Sequence, residues 1–346
     1  MNFNHKFQIG NRKSSSSGSR LPRALLILSA ALVCATCVAL WVGYAPISLA
    51  ALRNDETTRT LFFRLRLPRV LMAGMVGASL AMVGAALQAL FRNPLAEPLT
   101  LGVSGGGALG ASVAIAFGAG AQVAGVPLVF LASFAGAGAA VFVVYRLART
   151  PGAVVMPGAL LLAGVVLNFV TASFVIIIQY LADYSRALQI LRWTIGSLDV
   201  VGFDLLWRML LFLVPGWMAL ILMARDLHLL AIDEETAASL GVNIRRSERL
   251  VYAASSLLVG VTVAVGGAIG FVGLIVPHAV RLLFGEDVRV VMPCSFLLGA
   301  AFLMLADTIA RTALGVAELP VGAITALVGG PVFLWLLRRQ QRLAAM

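Results

Sequence analysis

Few residues in this chain have the types and spacing that chemistry requires. Cys34-x-x-Cys37 has the spacing of a redox or metal pair. It stands inside an unbroken apolar run, however, where packing accounts for it, and the third cysteine, Cys294, lies in another such run. No Gly-Lys pair occurs anywhere, and the only lysines are Lys6 and Lys13, so a P-loop is excluded and with it ATP binding by that route. None of the 15 acids stands at the middle of an apolar run; Asp307 and Glu318 lie near the ends of theirs. A carboxylate relay within a membrane, the usual equipment of an ion-coupled secondary transporter, is therefore missing. The densest polar stretch is Asp226 to Arg249. Asp233 is placed to N-cap a short helix whose first turn carries Glu234 and Glu235, where the helix dipole favours carboxylates. Gly241 is placed to end that helix and Asn243 to cap the next. Such a segment is either a solvated loop with some helix or a surface built to be gripped.

The elements around these residues are membrane-like. Of 346 residues 60% are hydrophobic and only 12% charged, with a mean hydropathy of +0.97, whereas a soluble domain carries roughly 25% charged residues. Long uncharged stretches without alternation mean helices rather than a barrel, and the 34 glycines suit close helix packing in lipid. Residues 1–23 read as a basic, Ser-rich tail, too long and polar for the start of a cleaved signal. Apolar spans follow at Ala24–Val42 and Val70–Phe91, then two within Leu101–Tyr145 divided at Gly118–Gly125. Others lie at Ala153–Ala182, Leu205–Met223, Leu250–Ala268, a short and broken Phe271–Phe284, Val290–Leu314 and Val321–Leu337. The segments 53–69 and 183–204 read as a polar loop and a polar linker between spans. About ten crossings of roughly 20 residues each result. That number puts both termini and residues 226–249 on one side, which then carries 17 of the 26 Lys/Arg, as the cytoplasmic side should. Five arginines on the other side crowd into residues 53–69, a cost that an acidic partner outside would offset.

Several motifs resemble one family. Arg66-Leu-Pro-Arg69, Gln88-Ala-Leu-Phe-Arg-Asn93-Pro94-Leu-Ala-Glu97-Pro98 and Leu101-Gly-Val-Ser-Gly105 open the series. Leu160-Leu-Leu-Ala-Gly164, Trp193-Thr-Ile-Gly-Ser-Leu198 and Gly270-Phe-Val-Gly273-Leu-Ile-Val-Pro277-His278 continue it, followed by Ala306-Asp307-Thr-Ile-Ala-Arg311 and Glu318-Leu-Pro320-Val-Gly322. In this order, over roughly residues 60–340, the chain resembles the FecCD-type permeases, membrane subunits of type II ABC importers for cobalamin (vitamin B12), haem and ferric siderophores. The resemblance implies an all-α polytopic membrane protein of about ten helices, with a permease domain over residues 24–338 and a cytoplasmic tail at 339–346. It implies a homodimer in the bacterial inner membrane, both termini cytoplasmic, working with two cytoplasmic ATP-binding subunits and a periplasmic substrate-binding protein. It implies no catalysis by this chain, no resident cofactor or metal, and no nucleic-acid partner; membrane lipid is its surround. An ion-coupled secondary transporter is the alternative.

By the same resemblance, residues 226–249 become cytoplasmic coupling helices, with Asp233, Glu234, Glu235, Ala238, Gly241 and Val242 facing the ATPase. Arg66, Arg69 and Arg311 become the outer docking residues, suited to it because a guanidinium grips carboxylates with two parallel bonds. Two plainer readings stand beside this one: Arg66 and Arg69 as headgroup anchors, and Arg311 as the helical partner of Asp307 four residues before it. The inner gate falls at Pro157 and Gly158, where cobalamin-type members carry small hydroxyl residues. His278 could coordinate haem iron as an imidazole, but Pro-His belongs to the shared motif whatever the substrate. Glu97-Pro98 and Glu318-x-Pro320 each precede Gly-rich apolar runs, a faint sign of two repeated halves.

Overall fold

A computed structural model describes residues 17–43, 47–118, 121–123, 125–148, 157–314 and 318–344. The helices in chain order are α1 (Ser17–Trp41), α2 (Leu49–Asn54), α3 (Glu56–Thr60), α4 (Leu67–Leu90), α5 (Val103–Gly118), α6 (Leu128–Ala148), α7 (Pro157–Leu181) and α8 (Tyr184–Ile195). They continue with α9 (Asp204–Leu222), α10 (Ala224–Ile232), α11 (Glu234–Ser239), α12 (Ile244–Gly266), α13 (Val272–Phe284), α14 (Val288–Thr312) and α15 (Val321–Ala344). A π-helical turn, Leu61–Arg66, leads into α4, and a 3₁₀ turn, Pro98–Leu101, into α5. Two short strands, Gln122–Val123 and Val126–Pro127, close the expected break between the third and fourth spans.

Among the described residues seven helical segments are long and apolar enough to cross a membrane: 21–41, 56–90, 128–147, 158–181, 204–222, 244–266 and 288–312. Three shorter apolar helices, Val103–Gly118, Val272–Phe284 and Val321–Trp335, coincide with the remaining apolar stretches of the sequence. At 13 residues α13 is about 20 Å long, well short of a hydrocarbon core of about 30 Å, as its broken sequence implies.

Two segments differ from their sequence expectation. Residues 53–69 are not a loop: Asp55 N-caps α3 through bonds from the Thr57 and Thr58 amides, and the helix runs on through the π turn into α4. Residues 183–204 likewise contain α8, capped by Asp183. Both are helices with a charged face, which mean polarity alone does not separate from a loop. The basic tail expected over residues 1–23 is helical from Ser17 onward, and its first 16 residues lie outside the described ones.

The core is built around α4, whose middle, from Met72 to Ala89, is buried almost throughout. It packs against α14 along its length and touches α13, α12, α9 and α1. Glycine makes this approach possible. A methyl at Gly84 would stand 1.9 Å from the Gly273 carbonyl oxygen on α13, and one at Gly77 2.2 Å from that of Gly299 on α14. In lipid no hydrophobic force draws helices together, so backbone-to-backbone packing and interhelical hydrogen bonds do that work. Trp217 Nε1 of α9 donates to Ser79 Oγ of α4 at 2.9 Å. Gln88, 3% exposed, is fixed by three partners: its Nε2 donates to the Ala96 and Gly273 carbonyls, and its Oε1 accepts from Arg281 Nη1 at 2.5 Å. Glu97 accepts the amide of Phe271, a left-handed residue (φ 67°) at the start of α13. The Gln88–Pro98 and Gly270–His278 motifs are therefore one polar joint, some 185 residues apart in the chain.

Candidate functional site

Two polar surfaces stand at opposite ends of α4, whose 24 residues span about 36 Å. One is the segment α10–α11–α12. Met223 to Ile232 prolongs α9 into α10, and Asp233 then breaks the helix with an extended backbone (φ −166°, ψ 143°). Its carboxylate accepts from the Thr236 amide at 2.9 Å and the Thr236 hydroxyl at 3.1 Å, capping α11. At the far end Gly241 has φ 83°; its N–H donates to Ala238 O and that of Val242 to Ala237 O, both at 3.0 Å. This pair of bonds is the Schellman arrangement, with glycine at the left-handed C′ position. Asn243 Oδ1 then accepts from Arg246 N and starts α12. Ala237 is fully buried and anchors the turn, while Glu235, Ala238, Leu240 and Gly241 are exposed. Glu234 forms an ion pair with Arg92 just past the end of α4, so the core helix and α11 are tied directly. Ser247 Oγ donates to Asp226 Oδ2 at 2.9 Å, and His228 Nδ1 lies 3.6 Å from Asp287 Oδ1.

The Thr236 amide holds the Asp233 carboxyl below the usual carboxylate range, with Arg92 adding a smaller pull. A depressed pKa means that the cap contributes fully above the unfolded value and is lost as pH falls through the folded one. Hydrogen-exchange protection of the α11 amides is thus expected to hold from neutral pH down to about 3.9, the ordinary Asp value, and to fall below it. Asp233→Asn keeps a capping side chain and is expected to lose this acid dependence.

The opposite surface gathers Arg66, Arg69 and Arg311. Arg69 Nε lies 3.1 Å from Asp307 Oδ1 and 3.3 Å from Oδ2, while Arg69 Nη1 lies 2.8 Å from Glu318 Oε2 and 3.6 Å from Asp199 Oδ1. Arg311 Nε is 2.9 Å from Asp307 Oδ2, and its Nη2 donates to the Ala39 carbonyl and Thr308 hydroxyl, each at 3.2 Å. Arg66 Nη1 donates to the Leu40 carbonyl at 3.1 Å. The network ties α1, α4, α14 and the connections before α9 and α15. Asp307 is 1% exposed, and the side chains of Arg69 and Arg311 are 13% and 8% exposed. The helical Asp307–Arg311 pair expected as an alternative is present, and Arg69 joins it. The more open arginines of this end, Arg53, Arg59 and Arg64, line a separate recess with Glu56.

Because α1 reaches this end with Ala39 and Leu40, its N-terminal half lies toward the α11 end. The gate positions are less informative. Pro157 begins α7, and Gly158 is exposed with open space where a side chain would project. His278 lies on α13, partly buried, and no group of three or more His, Cys, Asp or Glu with metal-site geometry occurs among the described residues. Sequence reasoning did not single out Asp199, Arg92, Gln88 or Arg281 as working residues. Their only sequence signal was position within or beside a motif.

Residues 21–339 match the FecCD transport family. The hemin transport system permease protein HmuU of Yersinia pestis is 38% identical over 308 residues, covering 87% of this chain and 90% of the relative. The vitamin B12 import system permease protein BtuC of Salmonella paratyphi A is 39% identical over 323 residues, 92% of this chain and 96% of the relative. The uncharacterized ABC transporter permease protein YvrB of Bacillus subtilis is 40% identical over 289 residues, 84% and 82%. A solved structure, described as an inward-facing conformation of a metal-chelate type ABC transporter, superposes with a TM-score of 0.80 at 32% identity over 92% of this chain and 99% of that one. This chain belongs to the FecCD transport family and is a membrane permease of the ABC-transporter kind.

Proposed function

We propose that the chain, as a homodimer in the bacterial inner membrane, carries an iron chelate (haem or a ferric siderophore) or cobalamin from periplasm to cytoplasm, driven by two separate ATP-binding subunits. The observation that carries this reading is the placement of a capped, partly exposed helical segment and an arginine cluster at opposite ends of one buried helix. In it, Asp233, Glu234, Glu235, Ala238, Gly241 and Val242 meet the ATPase, and the end bearing Arg66, Arg69 and Arg311 receives an acidic periplasmic binding protein. Both termini are cytoplasmic, with residues 24–338 forming the permease domain and Pro157 and Gly158 the inner gate. The relatives named for hemin and vitamin B12 support the substrate class. The Glu234–Arg92 pair supports a direct push from α11 on α4.

The test is uptake by proteoliposomes containing the chain with its ATPase and binding protein. Uptake of haem, ferric siderophore or cobalamin is expected only with ATP inside the cytoplasmic compartment and binding protein outside. Uptake by the chain alone, driven by an ion gradient, would replace this reading with secondary transport.

A further inference from the structure

Arg69 is engaged on two edges of its guanidinium that differ in kind. Its Nε edge faces both oxygens of Asp307, a carboxylate that is 1% exposed and shared with Arg311. Its Nη1 end faces Glu318 and Asp199, whose side chains are 42% and 52% exposed. A cavity of about 320 Å³ opens onto this end, lined by Arg66, Arg69, Arg311, Asp199, Glu318 and Val200. Arg69, Glu318 and Asp199 line it together, so a carboxylate entering from outside meets Arg69 beside these two acids. Exposed acids lose little by returning to water, so their pairing with Arg69 is weak compared with that of buried Asp307. Asp199 also has a second cation ready, since Arg192 Nη2 lies 3.5 Å from its Oδ2.

We propose that Glu318 and Asp199 occupy, on Arg69, the seat of a carboxylate from an acidic protein partner, so that docking exchanges an intrachain ion pair for an interchain one. Asp307 stays in place throughout as the fixed counter-charge. Glu318 belongs to the connection between α14 and α15, and Asp199 to that between α8 and α9. The exchange therefore releases one tie on each connection at the moment the partner arrives, and it limits how tightly the partner binds. The proposal rests on the docking role given to this end above.

The test is the affinity of the cognate binding protein for the full transporter, chain plus ATPase, in nanodiscs. Glu318→Gln and Asp199→Asn are each expected to bind about two- to fivefold tighter, the scale of an exposed ion pair removed from competition. Glu56→Gln removes an exposed acid from the same end without touching Arg69, and serves as the measure of simple charge repulsion; it is expected to change affinity less than about twofold. Unchanged thermal stability and unchanged ATPase co-purification show that the variants fold. Affinity that is unchanged, weaker, or raised no more than in Glu56→Gln overturns the exchange while leaving docking intact. Failure of the wild-type transporter to bind at all would bring down the docking role, and the exchange with it.

Discussion

Replacing Asp307 by alanine is expected to destabilise the chain by about 3–5 kcal/mol, the scale seen when one partner of a buried ion pair is removed. The carboxylate is 1% exposed and lies within about 3 Å of two guanidiniums that are themselves nearly buried. Without it, among the described residues Arg311 keeps the neutral oxygens of Ala39 and Thr308, and Arg69 keeps its exposed partners. Neutral oxygens satisfy hydrogen bonds but do not balance charge, and a charge left unbalanced near lipid is costly. Through its two arginines this carboxylate links α4 to α14, and through the Arg311–Ala39 bond it reaches α1, so its loss loosens the three helices together. Asp307→Asn is expected to fall between wild type and alanine, because the amide keeps an acceptor and loses the charge. Adding Arg311→Met to Asp307→Asn restores part of the balance and is expected to recover part of the stability, a non-additivity that marks direct coupling. Denaturant or thermal unfolding of purified protein in detergent reads all three. An alanine variant as stable as wild type would mean that this network does not hold its end of α4 together.

What could be read in the sequence, and what could not, divides by distance along the chain. The caps of α11 and the N-cap of α12 were legible because each acts within three residues: Asp233 on Thr236, Gly241 on Ala238, and Asn243 on Arg246. The apolar spans were legible because crossing a bilayer demands an unbroken apolar run of fixed length. The short α13 was visible in the glycines and proline of its own segment. Pairs made across the fold were not legible. Arg69 meets Asp307 from 238 residues away, and Arg281 meets Gln88 from 193. Each of these residues taken singly looks like a helix-end anchor or an isolated polar residue in an apolar run. Residues 53–69 and 184–195 were misjudged for a different reason: Arg and Leu favour helix, but a charged surface helix and a loop share the same average polarity. The consequence for the candidate site is specific. Arg69 and Arg311 could be named from their motifs, but only the structure places a buried carboxylate between them and two exposed ones at the rim.

Changing Gly241 to valine is expected to uncouple ATP hydrolysis from transport, lowering uptake by tenfold or more while leaving the thermal stability of the membrane core unchanged. Helix α11 has six residues, too few to be stable alone, and depends on its two caps and on buried Ala237. At φ 83° a non-glycine residue costs roughly 1–2 kcal/mol, more when β-branched. A side chain at this position meets open space, so the effect is confined to the backbone. Valine would pull residue 241 out of the left-handed region and break the bonds to Ala238 and Ala237. That frays the exposed surface around Glu235 and Ala238 and slackens the Glu234–Arg92 tie to α4. Gly241→Asn is the discriminating control, because asparagine tolerates the left-handed conformation and is expected to retain most transport. Both variants are measured in proteoliposomes, with ATP hydrolysis and uptake followed in parallel. Loss of uptake in valine with hydrolysis continuing, and its retention in asparagine, assigns the defect to the shape of α11. Equal uptake by glycine and valine chains would show that the shape of this turn transmits nothing.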